Sequence, residues 1–324
     1  MKTKKEYLFD LTVSGTANID RDKMDIIGDV IANAPTLEGI VPITGVKANN
    51  VVEIFSATVE TALQSGDCPS AGTASTVLAP RSVKAFRLSD IETLCQDKLD
   101  AVLPRVMTAG AKNEDLGTFQ NIYMDLKVQS FAKELERGMW SGVEGGSNVN
   151  PNLNIYDGYL EIAANETGAL GSYDTFSGVT PANAIDTVRE MWSSRDEDTL
   201  ELEGWTLNCG IADYYTIVTA IVNAFPSTPQ TFQSIGVENE LGHMESYFPG
   251  LALRIKASIG FGSTGDLFMT PNTSNLSYIT DLEHDKESAK ITYDEVTDKM
   301  HFALKMTFAP QYFSPKAVVY RKKV

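Results

Sequence analysis

The sequence contains few of the residues that build disulfide frameworks and metal sites. It has three cysteines and three histidines among 324 residues. The cysteines are Cys68, Cys95 and Cys209. The histidines are His243, His284 and His301. An odd, sparse and widely spaced set of cysteines is no disulfide framework, and no histidine pairs with another histidine or a cysteine at metal-ligand spacing. We therefore predict no metal site.

Long apolar runs are also missing. No stretch approaches the roughly 18 uninterrupted apolar residues that predict a transmembrane helix. Residues 1–30 contain no apolar segment of signal-peptide length, because Asp10, Asp20 and Asp22 interrupt it. We therefore expect synthesis and folding in a reducing cytoplasm, with no membrane partner.

Basic residues are outnumbered by acidic ones. The chain has 27 Lys and Arg against 43 Asp and Glu, a formal net charge of -16. Binding to nucleic acid depends mainly on cationic side chains that neutralise phosphates, so this balance excludes a dedicated DNA- or RNA-binding protein. Hydrophobic residues make up 43% of the chain, which is ordinary for a globular protein with one large or two moderate domains.

Short matches to active-site motifs lack the context that their chemistry needs. Residues 260–265 (GFGSTG) fit a dinucleotide-binding pattern, but a strand is predicted to follow where that site needs a helix, so we interpret them as a hairpin turn. Ser130 and Lys133 fit a serine–lysine motif without its partner motifs and are predicted to lie on a solvated helix face. The acidic residues 196–203 lack the spacing of a calcium loop. We predict no catalytic residue, no cofactor and no enzymatic activity.

The segment 51–88 predicts an unusually long β-hairpin. Residues 51–63 and 76–88 are rich in strand-forming residues, and the glycine- and proline-containing stretch between them is typical of a turn. Each strand would reach about 40 Å. Between Ser56 and Thr76 the only large aliphatic residues are Val59 and Leu63, so the hairpin has no face to bury in its own domain. Because isolated hairpins are marginally stable in water, this one is either flexible or held by another molecule.

The strongest helical periodicity lies at residues 118–140, and a shorter helix is predicted at residues 91–103, with Ser89 as its N-cap. Apolar residues of the long helix recur at three- and four-residue steps, which indicates an amphipathic helix of roughly 35 Å. Its predicted core residues are Phe119, Ile122, Tyr123, Leu126, Phe131, Leu135, Met139 and Trp140. Residues 1–50 predict an extended arm with one short helix at residues 18–34.

Residues 155–280 predict an α/β unit, and the last forty residues are again rich in strand-forming residues. Helices are expected at residues 180–192 and from Asp213 to the residue before Pro226. The expected strands lie at residues 205–210, 251–259, 267–270, 276–279, 290–293, 299–308 and 317–321.

This order of elements resembles the HK97 fold of tailed-phage major capsid proteins. Two segments of sequence add to the resemblance: IETLCQDKLD followed by FQNIYMDLKVQSFAKELERGMWSG, and NLSYITDLEHDKESAKITYDE. They are similar to capsid proteins of phages that infect Bacteroidetes, the crAss-like phages and their relatives. There a Cys–acidic–Leu segment precedes a helix that ends in a Trp–small-residue turn. The resemblance in architecture spans most of the chain, and the resemblance in sequence covers about seventy residues.

The resemblance implies an α+β, HK97-like capsid fold with four parts. These are an N-terminal arm at 1–50, an extended hairpin (the E-loop) at 51–90, a peripheral domain at 91–154 plus 284–324 with a spine helix at 118–140, and an axial α/β domain at 155–283. It implies contact between subunits through the hairpin. We predict these contacts at Val59, Leu63, Asp67, Cys68, Pro69, Arg81 and Lys84.

The function that the resemblance implies is self-assembly into hexamers and pentamers of an icosahedral shell, located in the virion. The shell would enclose double-stranded DNA by non-specific contact, with scaffold, portal and decoration proteins as further partners. The HK97-type covalent cross-link does not carry over, because residues 62–75 contain no lysine. The alternatives are an encapsulin-like compartment of the same fold, a soluble α/β hydrolase or ligand-binding protein, and a tail-tube protein.

Overall fold

In a computed structural model of the protein, the described residues are 33–37, 39–47, 50–59, 76–95, 115–225, 237–238, 244–281, 289–294 and 299–324. The predicted helix at residues 18–34 therefore lies almost wholly outside the described residues, as does the tip of the hairpin. Within the described ranges, no helix combines the length and the apolar character needed to cross a bilayer.

The strands form three separate sheets. A two-stranded sheet consists of β2 (Val51–Val59) and β3 (Thr76–Lys84). A five-stranded sheet contains β1 (Val41–Ile43), β4 (Phe86–Cys95), β11 (Leu276–Ile279), β12 (Ala289–Asp294) and β13 (Lys299–Tyr312). A seven-stranded sheet has the order β5 (Ser172–Phe176), β14 (Val319–Lys323), β10 (Leu267–Pro271), β6 (Trp205–Cys209), β9 (Arg254–Ala257), β8 (Met244–Tyr247) and β7 (Val237–Glu238).

The long strand β13 organises the five-stranded sheet. It pairs antiparallel with β4 along Lys299–Phe308, with β12 along Lys299–Leu304, and with β11 along Ala309–Tyr312. Successive side chains of a strand point to opposite faces, and β13 follows this rule: Phe302, Leu304, Met306 and Phe308 are buried, while the residues between them mostly remain partly exposed. One face of the sheet therefore belongs to the core.

The core face of this sheet packs with the helix α1 (Asp115–Ser141), which confirms the predicted long helix. Val128, Ala132, Leu135 and Met139 recur at steps of four, three and four residues and are all buried. Leu126, predicted to belong to the same stripe, is 60% exposed. At 100° per residue it lies about 160° around the helix axis from Val128, so it cannot share that buried face.

The seven-stranded sheet carries the second core. The helices α3 (Ala184–Ser193) and α4 (Ile211–Ala224) pack their apolar faces with strands β6, β9 and β10. The short helix α2 (Tyr159–Asn165) instead packs in the same core as α1. The single helical turn α5 (Asn272–Asn275) joins β10 of the seven-stranded sheet to β11 of the five-stranded sheet. The predicted α/β unit is therefore present.

Most predicted strands are confirmed, but two local predictions are wrong. Residues 91–95, expected to begin a helix, continue the strand β4, because ten consecutive residues pair with β13 and outweigh the local helix signal. Residues 96–103 of that prediction lie outside the described residues. The GFGSTG segment is no hairpin turn, because β9 and β10 are not neighbours and β6 lies between them. The strand predicted to follow it is confirmed as β10.

The strand pairings bear on the predicted domain limits at two places. β4 begins at Phe86, inside the segment assigned to the hairpin, and belongs to the five-stranded sheet. β14, assigned with residues 284–324, pairs with β5 and β10 of the seven-stranded sheet. The chain thus crosses between the sheets after β13, which sequence spacing alone did not indicate.

Candidate assembly site: the hairpin root and the arm anchor

The hairpin formed by β2 and β3 is a narrow ribbon. Nine residues of each strand pair, from Val51 with Lys84 to Val59 with Thr76, and no third described strand joins them. Nine residues at about 3.3 Å each give a length of roughly 30 Å. Val51 is 60% exposed at its base. A two-stranded ribbon of this kind needs support from other contacts.

Support within the chain comes from a group of residues that we call the hairpin root: Arg81, Lys84, Glu144, Glu166 and Tyr312. The guanidinium of Arg81 donates to both Glu166 carboxylate oxygens, with Nη2 at 2.7 Å from Oε1 and 2.6 Å from Oε2. Its Nη1 donates to the Tyr312 carbonyl oxygen at 2.7 Å. Only 12% of the Arg81 side chain is exposed. A charge-assisted arginine–carboxylate contact this well enclosed fixes the orientation of β3 at its base.

Tyr312 completes this contact from the end of β13. Its ring lies under the Arg81 guanidinium, 4.6 Å from Cζ to the ring centroid, and its hydroxyl donates to Glu166 Oε2 at 2.7 Å. Burial raises the pKa of Tyr312, and the hydrogen bond to Glu166 raises it further, so the phenol stays protonated. The three side chains form one network between the ribbon, the β13 terminus and the residue after α2.

Lys84 makes a weaker contact at the last pair of the ribbon. Its Nζ lies 3.0 Å from Glu144 Oε1, with about half of each side chain exposed, and 4.5 Å from the Phe86 ring centroid. Exposed ion pairs contribute little to stability. Next to it, Val83 and Ala85 are buried against Ile279 and Ala309. The base of the ribbon is therefore held by its own subunit.

A second group of residues surrounds a carboxylate that is buried on α1. We call Glu136 and its partners Thr36, Ser258 and Trp140 the arm anchor. Glu136 is fully buried. Its Oε2 accepts from the Thr36 backbone N–H at 3.1 Å, and its Oε1 accepts from the hydroxyls of Thr36 and Ser258 at 2.5 Å each. A buried charge is tolerated only when hydrogen bonds satisfy it, and here three donors do so.

The arm anchor joins three distant parts of the chain. The Thr36 hydroxyl accepts from the Trp140 indole N–H at 2.8 Å, so it donates to one α1 residue and accepts from another. The Ser258 hydroxyl accepts from the Gly260 N–H at 3.0 Å, in the connection from β9 to β10. The residues before β1, the helix α1 and the seven-stranded sheet therefore meet at one polar centre.

A buried lysine provides a further contact for the same arm residues. Lys256 on β9 donates from Nζ to the Pro35 carbonyl oxygen at 2.8 Å and lies 3.5 Å from Glu245 Oε1. Only 8% of its side chain is exposed. Ala34 and Leu37 flank this segment and lie in the main core. The predicted arm is therefore anchored near its end by residues 34–37.

Aromatic rings and a glycine close the arm anchor. The Trp140 ring centroid lies 4.6 Å from Phe261, 5.2 Å from Tyr159 and 5.5 Å from Phe268. A Cβ atom at Gly260 would collide with the Glu136 backbone oxygen and the Trp140 ring. Gly260, the first glycine of the GFGSTG segment, therefore permits close approach of two backbones rather than binding of a nucleotide.

The structure assigns the predicted core residues of α1 to different surroundings. Leu135, Met139 and Trp140 are buried and Phe131 is partly buried, which confirms the prediction for them. Leu126 is exposed, as described above. The side chains of Phe119, Ile122 and Tyr123 lie outside the described part of the helix. Ser130 and Lys133 are exposed, as predicted for a solvated face.

Of the predicted contact residues of the hairpin, some lie outside the described residues and some are described. Leu63, Asp67, Cys68 and Pro69 lie outside the described residues, as does the side chain of Val59. Arg81 and Lys84, also predicted to contact a neighbouring subunit, each bind a carboxylate of their own chain at the base of the ribbon. Contact with a neighbouring subunit stays a prediction for all seven residues.

Sequence reasoning missed Glu136, Thr36 and Glu166. A signal existed for Glu136, since an acidic residue between Leu135 and Met139 falls on the buried face of a helix. Nothing local marks Thr36 or Glu166, because their partners lie 100 and 85 positions away in the chain. Within the described ranges, no group of histidine, cysteine and acidic residues has the arrangement of a metal site.

No protein-family model matches the chain, and no curated protein sequence matches it. Solved structures do. A chain of the satellite phage P4 procapsid is 12% identical, with a TM-score of 0.53 over 93% of this chain and 99% of that one. A gene-transfer-agent (GTA) capsid chain is 12% identical, with a TM-score of 0.52 and 90% of each chain covered. The encapsulin of Synechococcus elongatus is 9% identical, with a TM-score of 0.51 over 88% and 84%.

These likenesses define the fold. The chain has an α+β fold of the HK97 type. At these identities the comparison concerns architecture alone.

Proposed function

We propose that this chain is a major capsid protein that assembles with copies of itself into the closed shell of a tailed bacteriophage. One observation carries the proposal: a chain of HK97-type fold extends a two-stranded ribbon that no third described strand joins and that Arg81 fixes to its own subunit at the root. The free length of the ribbon needs a partner, because an isolated hairpin is marginal in water. Another subunit is the partner that a shell supplies.

The proposed roles of the parts follow their positions. Residues 1–50 form the arm and the ribbon overlaps a neighbouring subunit. The five-stranded sheet with α1 forms the peripheral domain, and the seven-stranded sheet forms the axial domain at the local symmetry axes of hexamers and pentamers. β14 was predicted to belong to the peripheral domain, but its pairing with β5 and β10 supports a place in the axial domain instead. The proposed inter-subunit residues are Val59, Leu63, Asp67, Cys68, Pro69, Arg81 and Lys84.

The proposed particle encloses double-stranded DNA and forms in the host cytoplasm, with scaffold, portal and decoration proteins as further partners. The Bacteroidetes-phage lineage, including the crAss-like phages, is part of the proposal. The proposed lineage is supported by the amino-acid sequence of residues 91–100, 119–142 and 275–295. The proposed role is structural, with no catalysis.

Electron microscopy of the purified full-length chain tests the proposal. We expect closed shells with hexameric and pentameric units. A stable monomer in size-exclusion chromatography under assembly conditions would contradict the proposal and favour a soluble hydrolase or ligand-binding protein. Rods or rings would favour a tail-tube protein.

The likeness to an encapsulin supports a second candidate, a protein compartment of the same fold. Particles isolated from the native source distinguish the two. DNA and an attached tail support the capsid proposal, whereas a single packaged enzyme supports the compartment.

A further inference from the structure

The loop that follows α1 presents the most exposed large apolar side chain in the part of the chain that the structure describes. We call residues 145–154 the asparagine loop. Val149 lies in its middle and is as exposed as an isolated residue, at 103%. The next large apolar side chain in this order, among the described residues, is Val324 at 87%. A single exposed valine is common on protein surfaces, so exposure alone indicates no partner.

Hydrogen bonds join the two ends of the asparagine loop. The Gly145 N–H donates to the Asn154 carbonyl oxygen at 3.0 Å. The Asn154 side chain spans the loop, because its Oδ1 accepts from the Asn148 N–H at 3.0 Å and its Nδ2 donates to the Asn148 carbonyl oxygen at 3.2 Å. The backbone immediately before Val149 is therefore fixed.

Two further asparagines hold the other side of Val149 to α1. The Nδ2 atoms of Asn150 and Asn152 donate to Glu134 Oε2 at 2.7 and 3.2 Å. The Asn150 Oδ1 also accepts from the Asn152 N–H at 3.2 Å. Both asparagines are thus turned towards α1, whereas the residues that alternate with them, Val149 and Pro151, are exposed. Val149 cannot turn inward without breaking these bonds, so its exposure is built into the loop.

The asparagine loop is continuous with the hairpin root. Glu144, the residue before the loop, lies 3.0 Å from Lys84 Nζ. Lys84 lies opposite Val51 in the register of the ribbon, and Val51 is 60% exposed. One half-exposed ion pair therefore links the strand pair that carries the exposed Val51 to the loop that carries the exposed Val149.

We propose that the asparagine loop is a preformed contact element for a second copy of this chain, and that the neighbouring copy buries Val149. The inference rests on the proposed function, in which a second copy lies against the ribbon next to this loop. Residues 145–156 contain no charged side chain, so a copy with a net charge of -16 can approach here with little repulsion. A loop that is already held in one conformation loses little entropy when it binds.

Assembly of the full-length chain tests the contact. Val149→Asp places a charge in the loop, and Val324→Asp is the matched control, the same change at another highly exposed valine. Light scattering gives the lowest protein concentration at which closed shells form. Val149→Asp should raise this concentration about tenfold or more, because the burial of an apolar side chain is lost. The control should change it by about twofold or less.

Thermal unfolding of the two unassembled variants should match that of the wild type, because both valines are exposed before assembly. This check separates a lost contact from a damaged fold. Wild-type assembly by Val149→Asp, or an equal rise in both variants, overturns the inference.

Electron microscopy of wild-type shells identifies what covers the loop. Apolar atoms of another copy within about 4.5 Å of Val149 support the inference. If Val149 faces solvent throughout the shell, or lies against a different virion protein, the inference is overturned and the proposed function stands. Failure of the wild type to form shells refutes the proposed function, and the inference with it.

Discussion

The Glu136 carboxylate accepts hydrogen bonds from both the backbone N–H and the hydroxyl of Thr36, a residue 100 positions earlier in the chain. This contact fixes the segment before β1 to the long helix α1. It also brings Ser258, which follows β9 of the seven-stranded sheet, to the same carboxylate. Because the three donors are buried with their acceptor, removing it leaves them without water to replace it.

We expect Glu136→Ala to lower the free energy of unfolding by about 3 kcal/mol, since it leaves the Thr36 N–H and the Ser258 hydroxyl unsatisfied. Chemical denaturation of the unassembled chain measures this. Glu144→Ala, which removes an exposed carboxylate, is the control and should change stability by about 0.5 kcal/mol or less. Equal losses in the two variants would show that Glu136 does not anchor the arm.

Replacement of Gly260 should be poorly tolerated because of space rather than backbone angle. A methyl group in Gly260→Ala would meet the backbone of Glu136 and the ring of Trp140, neither of which has room to move. We expect a loss of about 2 kcal/mol or more, in the range of overpacked cores, or failure to fold. Gly168→Ala is the control, because nothing lies within 4 Å of its added methyl group. A Gly260→Ala protein as stable as the control would disprove the close contact.

The exposed and buried leucines of α1 should respond differently to truncation. Leu135 is 3% exposed and Leu126 is 60% exposed. Leu135→Ala should cost about 2–5 kcal/mol and Leu126→Ala much less, because only the first opens a cavity. Thermal unfolding of both variants measures the difference before assembly. A larger loss of stability in Leu126→Ala than in Leu135→Ala would show that Leu126 belongs to the buried face after all.

Arg81 should determine how firmly the ribbon is attached. Arg81→Lys keeps the charge but loses the two-pronged contact with Glu166 and most of the stacking on Tyr312. We expect faster hydrogen exchange in residues 76–85 with unchanged exchange in β10 and β13. Lys84→Ala, which breaks the exposed pair, should leave the exchange rates close to the wild type. Uniform acceleration across the chain would indicate general destabilisation instead of a loosened root.

Glu134 should contribute a component of stability that depends on pH. Burial tends to raise its pKa, but hydrogen bonds from Asn150, Asn152 and Arg137 outweigh burial, and the pKa is lowered from 4.5. A carboxyl group with a depressed pKa in the folded state stabilises above its unfolded pKa, and this stability is lost as pH falls through the folded value. The difference in melting temperature between wild type and Glu134→Gln should therefore be full near neutral pH and shrink below about pH 4.5. Glu201→Gln, at an exposed position, is the control, and a difference that grows on acidification would contradict the assignment.

Local patterns determined most of the secondary structure. The alternation of residues 299–308 and the three- and four-residue steps of residues 128–139 follow from strand and helix geometry, and both elements are present. The same reasoning failed at residues 91–95, where the helix signal was local and the pairing with β13 was not. It also placed Leu126 on the buried face, although Leu126 lies about 160° around the helix axis from the buried Val128.

What the tertiary structure alone decided is which distant residues meet. The sequence by itself determined an acidic, α+β chain with an arm, a ribbon poor in apolar residues and a long helix. It could not show that Arg81 binds Glu166 or that Thr36 and Ser258 share the Glu136 carboxylate, because such contacts join residues 85 to 122 positions apart. Periodicity reports the environment of one element, whereas these contacts depend on how several elements pack together.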